Sequence, residues 1–149
     1  MITKEELSVR IKNACAEVIA AEAELTEIDS RFGDADHGFT MAKIAKTISE
    51  AIEEGDSIQE MLDNAGCAVM VLNGGSAVPL WNTWLDGLQE HSEAADTMTV
   101  EQVKAMFQGA YELKRMGNSL PCSTVCRMRH LSNGQPDANR ESCRAWRIR

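Results

Sequence analysis

The sequence lacks the features that mark membrane-spanning and secreted proteins. None of its 149 residues belongs to an apolar run of about 18 residues, the length that a membrane helix needs. Residues 1–6 also lack the basic-then-apolar order of a secretory signal. We therefore expect a cytoplasmic protein with no membrane partner.

Aromatic residues and basic charge are also scarce. Phe, Trp and Tyr make up 5% of the chain, which disfavours an all-β fold, and the net charge of −8 argues against a nucleic-acid partner. The apolar content of 44% suffices for one buried core. Five cysteines are an odd number, and Cys15 and Cys67 lie in apolar helical patterns, so we expect buried thiols instead of a disulfide framework.

The hydrophobic pattern predicts an all-α fold built from antiparallel helices. Five segments carry apolar residues three and four positions apart, the spacing of one helix face. Ser/Thr-x-x-Glu/Gln capping boxes precede three of them, and a proline suits the first turn of another. We expect these helices to begin at Thr3, His37–Thr40, Ser57, Pro79 and Thr99. No segment is predicted to form a strand.

Three carboxylates and an imidazole crowd into one short segment that begins at the end of the first predicted helix and continues through the turn after it. Asp29, Asp34, Asp36 and His37 fall within nine positions, and glycines lie on either side of the last three. Carboxylates this close repel one another unless a cation neutralises them, and hard oxygen ligands suit Mg²⁺. The pattern favours a Mg-nucleotide site, with Asp29, Asp34 and Asp36 as the metal ligands. The alternative is an ordinary turn, because Asp and Gly are common turn residues.

Two helix starts offer places for a phosphate. His37 and Thr40 lie at the start of the second predicted helix, where N–H groups and the helix dipole attract anions. Gly75 and Ser76 belong to a glycine-containing loop, residues 73–79, in which the backbone can approach a ligand closely. The alternatives are a helix start without a ligand and a loop that only connects two helices.

The composition changes abruptly near residue 117. Residues 1–116 carry nine basic and 21 acidic side chains, a net charge of −12, whereas residues 117–149 carry six arginines and two acidic residues, a net charge of +4. The second part also holds three of the five cysteines and shows no sustained helical period. We therefore expect a helical nucleotide-binding domain over 1–116 and an atypical basic tail over 117–149, either frameshifted or disordered. A genuine short extension is the alternative.

Residues 5–116 resemble the nucleotide-binding (L) subunit or domain of dihydroxyacetone kinases. The resemblance is carried by residues 25–29, by the Gly-Asp-x-Asp-His-Gly element within residues 32–38, and by the loop of residues 74–79. It implies a barrel of antiparallel helices that binds ADP or ATP through two Mg²⁺ ions. It also implies phosphoryl transfer to a short keto-sugar held by a separate K subunit, with a phosphotransferase-system protein as a possible phosphoryl donor.

The same resemblance assigns the site residues. Asp29, Asp34 and Asp36 would be the metal ligands, while His37, Thr40, Gly75 and Ser76 would lie along the nucleotide. The chain departs from the family after Met116, where the later helices of the barrel have no counterpart. We therefore expect an incomplete barrel in a truncated and impaired kinase subunit. The alternative is a non-catalytic helical relative that binds nucleotide or a partner without turnover.

Overall fold

The computed structural model describes residues 1–117, and it confirms the all-α prediction. Six helices account for most of these residues. They are α1 (Lys4–Ala20), α2 (Glu22–Asp29), α3 (His37–Ala51), α4 (Ile58–Met70), α5 (Ala77–Glu90) and α6 (Val100–Gly117). No helix within this part of the chain is both long and apolar enough to span a membrane. The predicted tail lies outside the described residues, apart from residue 117.

Local sequence signals place most of the helix starts. The Thr3 hydroxyl accepts the Glu6 N–H while the Glu6 carboxylate accepts the Thr3 N–H, so the predicted capping box forms. Thr99 and Gln102 form the same reciprocal pair at the start of α6. Pro79 lies in the first turn of α5, as expected.

The prediction of one helix up to the acidic turn is wrong. The helix is interrupted at Ala21: α1 ends at Ala20, and α2 begins at Glu22. The hydroxyl of Thr26 donates to the Glu22 carbonyl at 2.8 Å, a side-chain contact that often bends helices. The break lets α2 lie close against the start of α3, where a side chain on Gly38 would collide with Glu22 and Thr26.

The expectation that no strand forms is also wrong. Residues Ile2–Thr3 (β1) pair antiparallel with Thr97–Met98 (β2), with Ile2 opposite Met98. The pair is too short to leave a recognisable alternating pattern in the sequence. It fixes the start of α1 beside the segment that precedes α6.

Helices α3, α4 and α5 form the centre of the fold, and α4 lies antiparallel to α5. Gln59 near the start of α4 reaches the carbonyls of Gln89 and Ser92 at the end of α5. Asn82 donates to the Gly66 carbonyl near the middle of the same pair. The core between the helices is aliphatic and methionine-rich. Its most deeply buried side chains include Ile44, Ile58, Met61, Leu62, Val69, Met98 and Met106.

The close packing of α5 against α6 depends on a glycine. A side chain on Gly87 of α5 would lie 2.6 Å from the Cα atom of Ala110 on α6.

Cys15 is buried in α1, as expected, and burial raises the pKa of its thiol. Closure of these helices into a barrel remains a prediction.

Candidate nucleotide and metal site

The acidic turn, residues 29–36, joins the end of α2 to the start of α3. Asp29 is the last residue of α2, and Asp36 immediately precedes the first residue of α3. Ala35 between them has a φ of 62°, a left-handed conformation that folds the chain back on itself. The turn therefore returns Asp34 and Asp36 to the end of the helix that carries Asp29.

The three predicted ligands do come together. Each of Asp29, Asp34 and Asp36 offers one carboxylate oxygen, and the three oxygens lie within 4.8 Å of one another. Asp34 and Asp36 are exposed and Asp29 is half-buried. Three negative groups at this separation form a site of the size and chemistry that a divalent cation takes.

Crowding raises the pKa of one carboxyl group of the cluster. Asp34, which shares a hydrogen bond and a like charge with Asp36, raises the pKa of the Asp36 carboxyl above its usual value. Desolvation and the charge of Asp29 act in the same direction, and His37 opposes them. The cluster thus holds more negative charge than it readily accommodates, which favours a bound cation.

Asp29 also accepts hydrogen bonds from the backbone at the start of α3, which the sequence did not reveal. Its Oδ2 atom accepts the backbone N–H of Asp36 at 3.2 Å and that of His37 at 3.3 Å. The side chain of Asp36, at the N-cap position of α3, makes no capping bond, so Asp29 takes that role from seven residues away. Its other oxygen lies against Gly33, where a larger residue would collide with it.

His37 begins α3 and is exposed. Because its N–H already donates to Asp29, a contact between His37 and a phosphate would use the imidazole ring. Thr40, one turn later, is only 7% exposed. The sequence predicts both residues beside a ligand. In the structure Thr40 is buried and its methyl carbon lies against Gly74, so its contact with a ligand stays a prediction.

The glycine loop, residues 73–76, lies against α3 next to the acidic turn. A side chain on Gly74 would be 3.0 Å from the methyl carbon of Thr40, and Lys43 donates to the Asn73 carbonyl. Gly75 has a φ of 21° with open space on its side-chain side. The hydroxyl of Ser76 makes no capping bond to α5.

The two predicted halves of the site therefore share one end of the fold. The acidic turn lies at the N-terminus of α3, and the glycine loop lies against the next turn of the same helix. A ligand with an anionic group could meet a metal bound to the first half and the backbone of the second. Lys43 was missed by sequence reasoning, because a surface lysine on a helix carries no signal of its distant partner.

Comparison with known proteins places this arrangement in a family. The family model of the DAK2 domain matches residues 31–123, more than half of the chain. The chain belongs to the DAK2 domain family. The match includes every predicted site residue except Asp29, and it continues past the composition break at residue 117. Together with the bacterial relative described next, this match confirms the resemblance to dihydroxyacetone kinases drawn from the motifs.

Two curated relatives extend this assignment. The ADP-binding subunit DhaL of the PEP-dependent dihydroxyacetone kinase of Escherichia coli strain K12 is 32% identical over 118 residues, which are 75% of this chain and 56% of that protein. The triokinase/FMN cyclase of Mus musculus is 24% identical over 123 residues, which are 80% of this chain and 21% of the mouse protein. This DAK2 chain thus spans about half the length of the bacterial relative. No solved structure matches it significantly.

Proposed function

We propose that this chain is a Mg-ADP/ATP-binding L subunit of a dihydroxyacetone-type kinase. It would serve phosphoryl transfer to a hydroxyl of a short keto-sugar that a partner K subunit holds. The observation that carries the proposal is the cluster of Asp29, Asp34 and Asp36 beside the glycine loop. The family and the bacterial relative, named as an ADP-binding subunit, support it.

The carboxylate cluster fits Mg²⁺. Asp29 is oriented by two backbone N–H groups, while Asp34 and Asp36 are exposed and share like charge. In the proposal these three residues hold two Mg²⁺ ions, which neutralise phosphate charge when bound. None of the three needs to act as a general base, since positioning and charge neutralisation dominate phosphoryl transfer.

The nucleotide phosphates would lie between the acidic turn and the glycine loop. His37 would meet them through its exposed imidazole, and Gly75 and Ser76 would offer backbone and hydroxyl groups. The open side of Gly75 leaves room for the ligand to approach the backbone. Thr40 would pack against the glycine loop at Gly74 and line the nucleotide site.

The substrate-holding partner would approach the same end of the fold. Phe32 in the acidic turn is 94% exposed and Phe39 in the first turn of α3 is 63% exposed. In the proposal these two exposed aromatic side chains belong to the surface that the partner covers. The phosphoryl donor in the proposal is ATP or a phosphotransferase-system protein that recharges bound ADP, and the setting is the cytoplasm.

A second candidate function is binding without turnover. The change from a net charge of −12 to +4 after residue 116 favours it. Phosphoryl transfer needs the nucleotide held rigidly in line with its acceptor. A chain that binds the nucleotide phosphates through metal ions, but does not align them with an acceptor, would be a regulatory relative that binds nucleotide. On this ground we expect the 149-residue chain to turn over slowly.

Two measurements on the whole chain test these proposals. Calorimetric titration with ADP should show binding in the presence of Mg²⁺ and none after chelation by EDTA. A coupled assay with Mg²⁺, dihydroxyacetone and a K subunit, run once with ATP and once with a phosphotransferase-system phosphoryl donor, then separates a kinase subunit from a regulatory relative. Absence of Mg-dependent ADP binding would contradict both, whereas binding with no turnover would support the second.

A further inference from the structure

A lysine on α3 holds the first residue of the glycine loop. The Nζ atom of Lys43 donates to the backbone carbonyl of Asn73 at 3.3 Å, although 30 residues separate the two in sequence. Lys43 is half-buried and lies less than two helical turns after His37, the first residue of α3. It therefore links α3, the helix that begins at the acidic turn, to the first residue of the glycine loop.

A second contact reinforces this link one residue further along the loop. Gly74 packs against Thr40, one turn before Lys43 on α3, and a side chain at position 74 would be 3.0 Å from both Thr40 and Val78. The next residue, Gly75, has no atom within 4 Å of the place where a Cβ would stand. The loop is thus attached at its first two residues and open at its third.

We infer that Lys43 is a positioning residue for nucleotide binding. It fixes the start of the glycine loop on α3 and so sets where Gly75 and Ser76 stand relative to the acidic turn. A loop with two consecutive glycines has high conformational freedom, and a charge-assisted bond to its first carbonyl restricts that freedom before the ligand arrives. The inference rests on the proposed function, because it assigns the loop to that same site.

The contact of Lys43 with the loop distinguishes this role from direct recognition of phosphate. One N–H of the ammonium group already donates to a backbone carbonyl without nucleotide, so removing the ammonium should loosen the loop even when no nucleotide is present. It should leave the carboxylate cluster intact, because Asp29, Asp34 and Asp36 are held by the turn and by the start of α3.

Three variants of the whole chain provide the test. Lys43→Met keeps most of the aliphatic stem and removes the charge, while Lys43→Arg keeps a cationic donor. Lys46→Met removes an exposed lysine one turn further along α3 and is the matched control. The measurements are hydrogen exchange of residues 73–78 in nucleotide-free protein, where the Val78 N–H donates to the Gly74 carbonyl, calorimetric Mg-ADP affinity, and Mn²⁺ affinity by electron paramagnetic resonance.

The expected pattern separates the loop from the metal cluster. In Lys43→Met, loop exchange should be about fivefold faster and Mg-ADP affinity about fivefold weaker, the effect of losing one net hydrogen bond. Mn²⁺ affinity without nucleotide should match the wild type. Lys43→Arg should restore the exchange rate and the ADP affinity, and Lys46→Met should behave as the wild type throughout.

Three results would overturn the inference. They are unchanged loop exchange in Lys43→Met, an equal loss of ADP affinity in Lys46→Met, and a loss in Lys43→Arg as large as in Lys43→Met. A wild-type chain that does not bind Mg-ADP would count against the proposed function alone. The exchange comparison in nucleotide-free protein would then still decide whether Lys43 holds the loop.

Discussion

At the scale of single residues, Asp29 connects local structure to the proposed chemistry. One of its oxygens caps α3 through the N–H groups of Asp36 and His37, and the other lies against Gly33. The same side chain belongs to the carboxylate cluster. A single aspartate thus fixes the start of the helix that carries the site and brings charge into it.

The capping role predicts different effects for two substitutions of Asp29. Asp29→Ala should lower the free energy of unfolding by about 1 kcal/mol, since it removes the only side-chain cap seen at the start of α3 among the described residues. Asp29→Asn should be at least as stable as the wild type without metal, because its amide oxygen can still accept both bonds and one like charge is removed. Urea unfolding without metal measures the difference. Glu24→Ala, on the exposed side of α2, is the control, and an equal effect in both alanine variants would contradict the role.

The raised pKa of Asp36 predicts a stability that depends on pH. A carboxyl with a folded-state pKa above its unfolded value of about 3.8 binds protons more tightly in the folded state, so its ionisation destabilises the fold as the pH rises. Without metal, Asp36→Asn should therefore melt at a higher temperature than the wild type at pH 7. The difference should vanish at a pH below 3.8 and reverse in excess Mg²⁺. A variant that melts lower than the wild type at pH 7 without metal would show that crowding is not costly.

At the scale of secondary-structure elements, the position of α2 depends on one glycine. Gly38 lies in the first turn of α3, and a side chain there would collide with the Glu22 carbonyl and with Thr26. This contact sets how closely the end of α2, and therefore Asp29, approaches α3. The distance between the ligands is thus controlled by helix packing as well as by the turn.

Gly38→Ala should move α2 away from α3 and cost about 2 kcal/mol of stability, since overpacking against backbone atoms cannot be relieved by a rotamer change. The double variant Gly38→Ala/Thr26→Ala should not recover the loss, because the Glu22 carbonyl and the Thr26 backbone N–H remain in the way. Thermal unfolding of both variants and of Thr26→Ala alone checks this. Recovery in the double variant would locate the collision in the Thr26 side chain.

The helices could be predicted from sequence because their signals are local. Thr3 with Glu6 and Thr99 with Gln102 are capping boxes that form as read, and α3 begins at the predicted His37. The bend at Ala21 could not be predicted, since the apolar spacing continues through it while the packing against Gly38 requires it. The β1–β2 pair was missed because two-residue strands carry no period.

The site could be predicted in its residue types but not in its assembly. Asp29, Asp34 and Asp36 are close in sequence, so their clustering followed from one turn. The contacts of Thr40 with Gly74 and of Lys43 with Asn73 depend on how α3 packs against the end of α4. No sequence pattern encodes those pairs.

At the scale of the whole molecule, the charge break divides the chain. The first 116 residues carry a net charge of −12, and every residue proposed for the site lies within them. The boundary of the nucleotide-binding domain near residue 116 remains a prediction. According to this prediction, the helices before residue 116 make all the contacts with the nucleotide.

A chain ending at residue 117 should therefore keep the binding properties of the 149-residue chain. We expect an unchanged melting temperature and an unchanged Mg-ADP affinity, because all proposed contacts lie before that point. Calorimetry and thermal unfolding of the two chains compare them directly. A loss of affinity or of stability in the shorter chain would show that residues 118–149 contribute to the domain.

The most direct test of the account is Mg-dependent ADP binding in charge-neutral variants of the acidic turn. Asp34→Asn and Asp36→Asn each remove one carboxylate of the cluster, and Asp96→Asn removes an exposed carboxylate from the segment before β2 as the matched control. Calorimetry with ADP and Mg²⁺ should show at least a tenfold loss of affinity in the first two variants, the effect of about 1.4 kcal/mol, and none in the third. Wild-type Mg-ADP affinity in both Asp34→Asn and Asp36→Asn would contradict the proposed site.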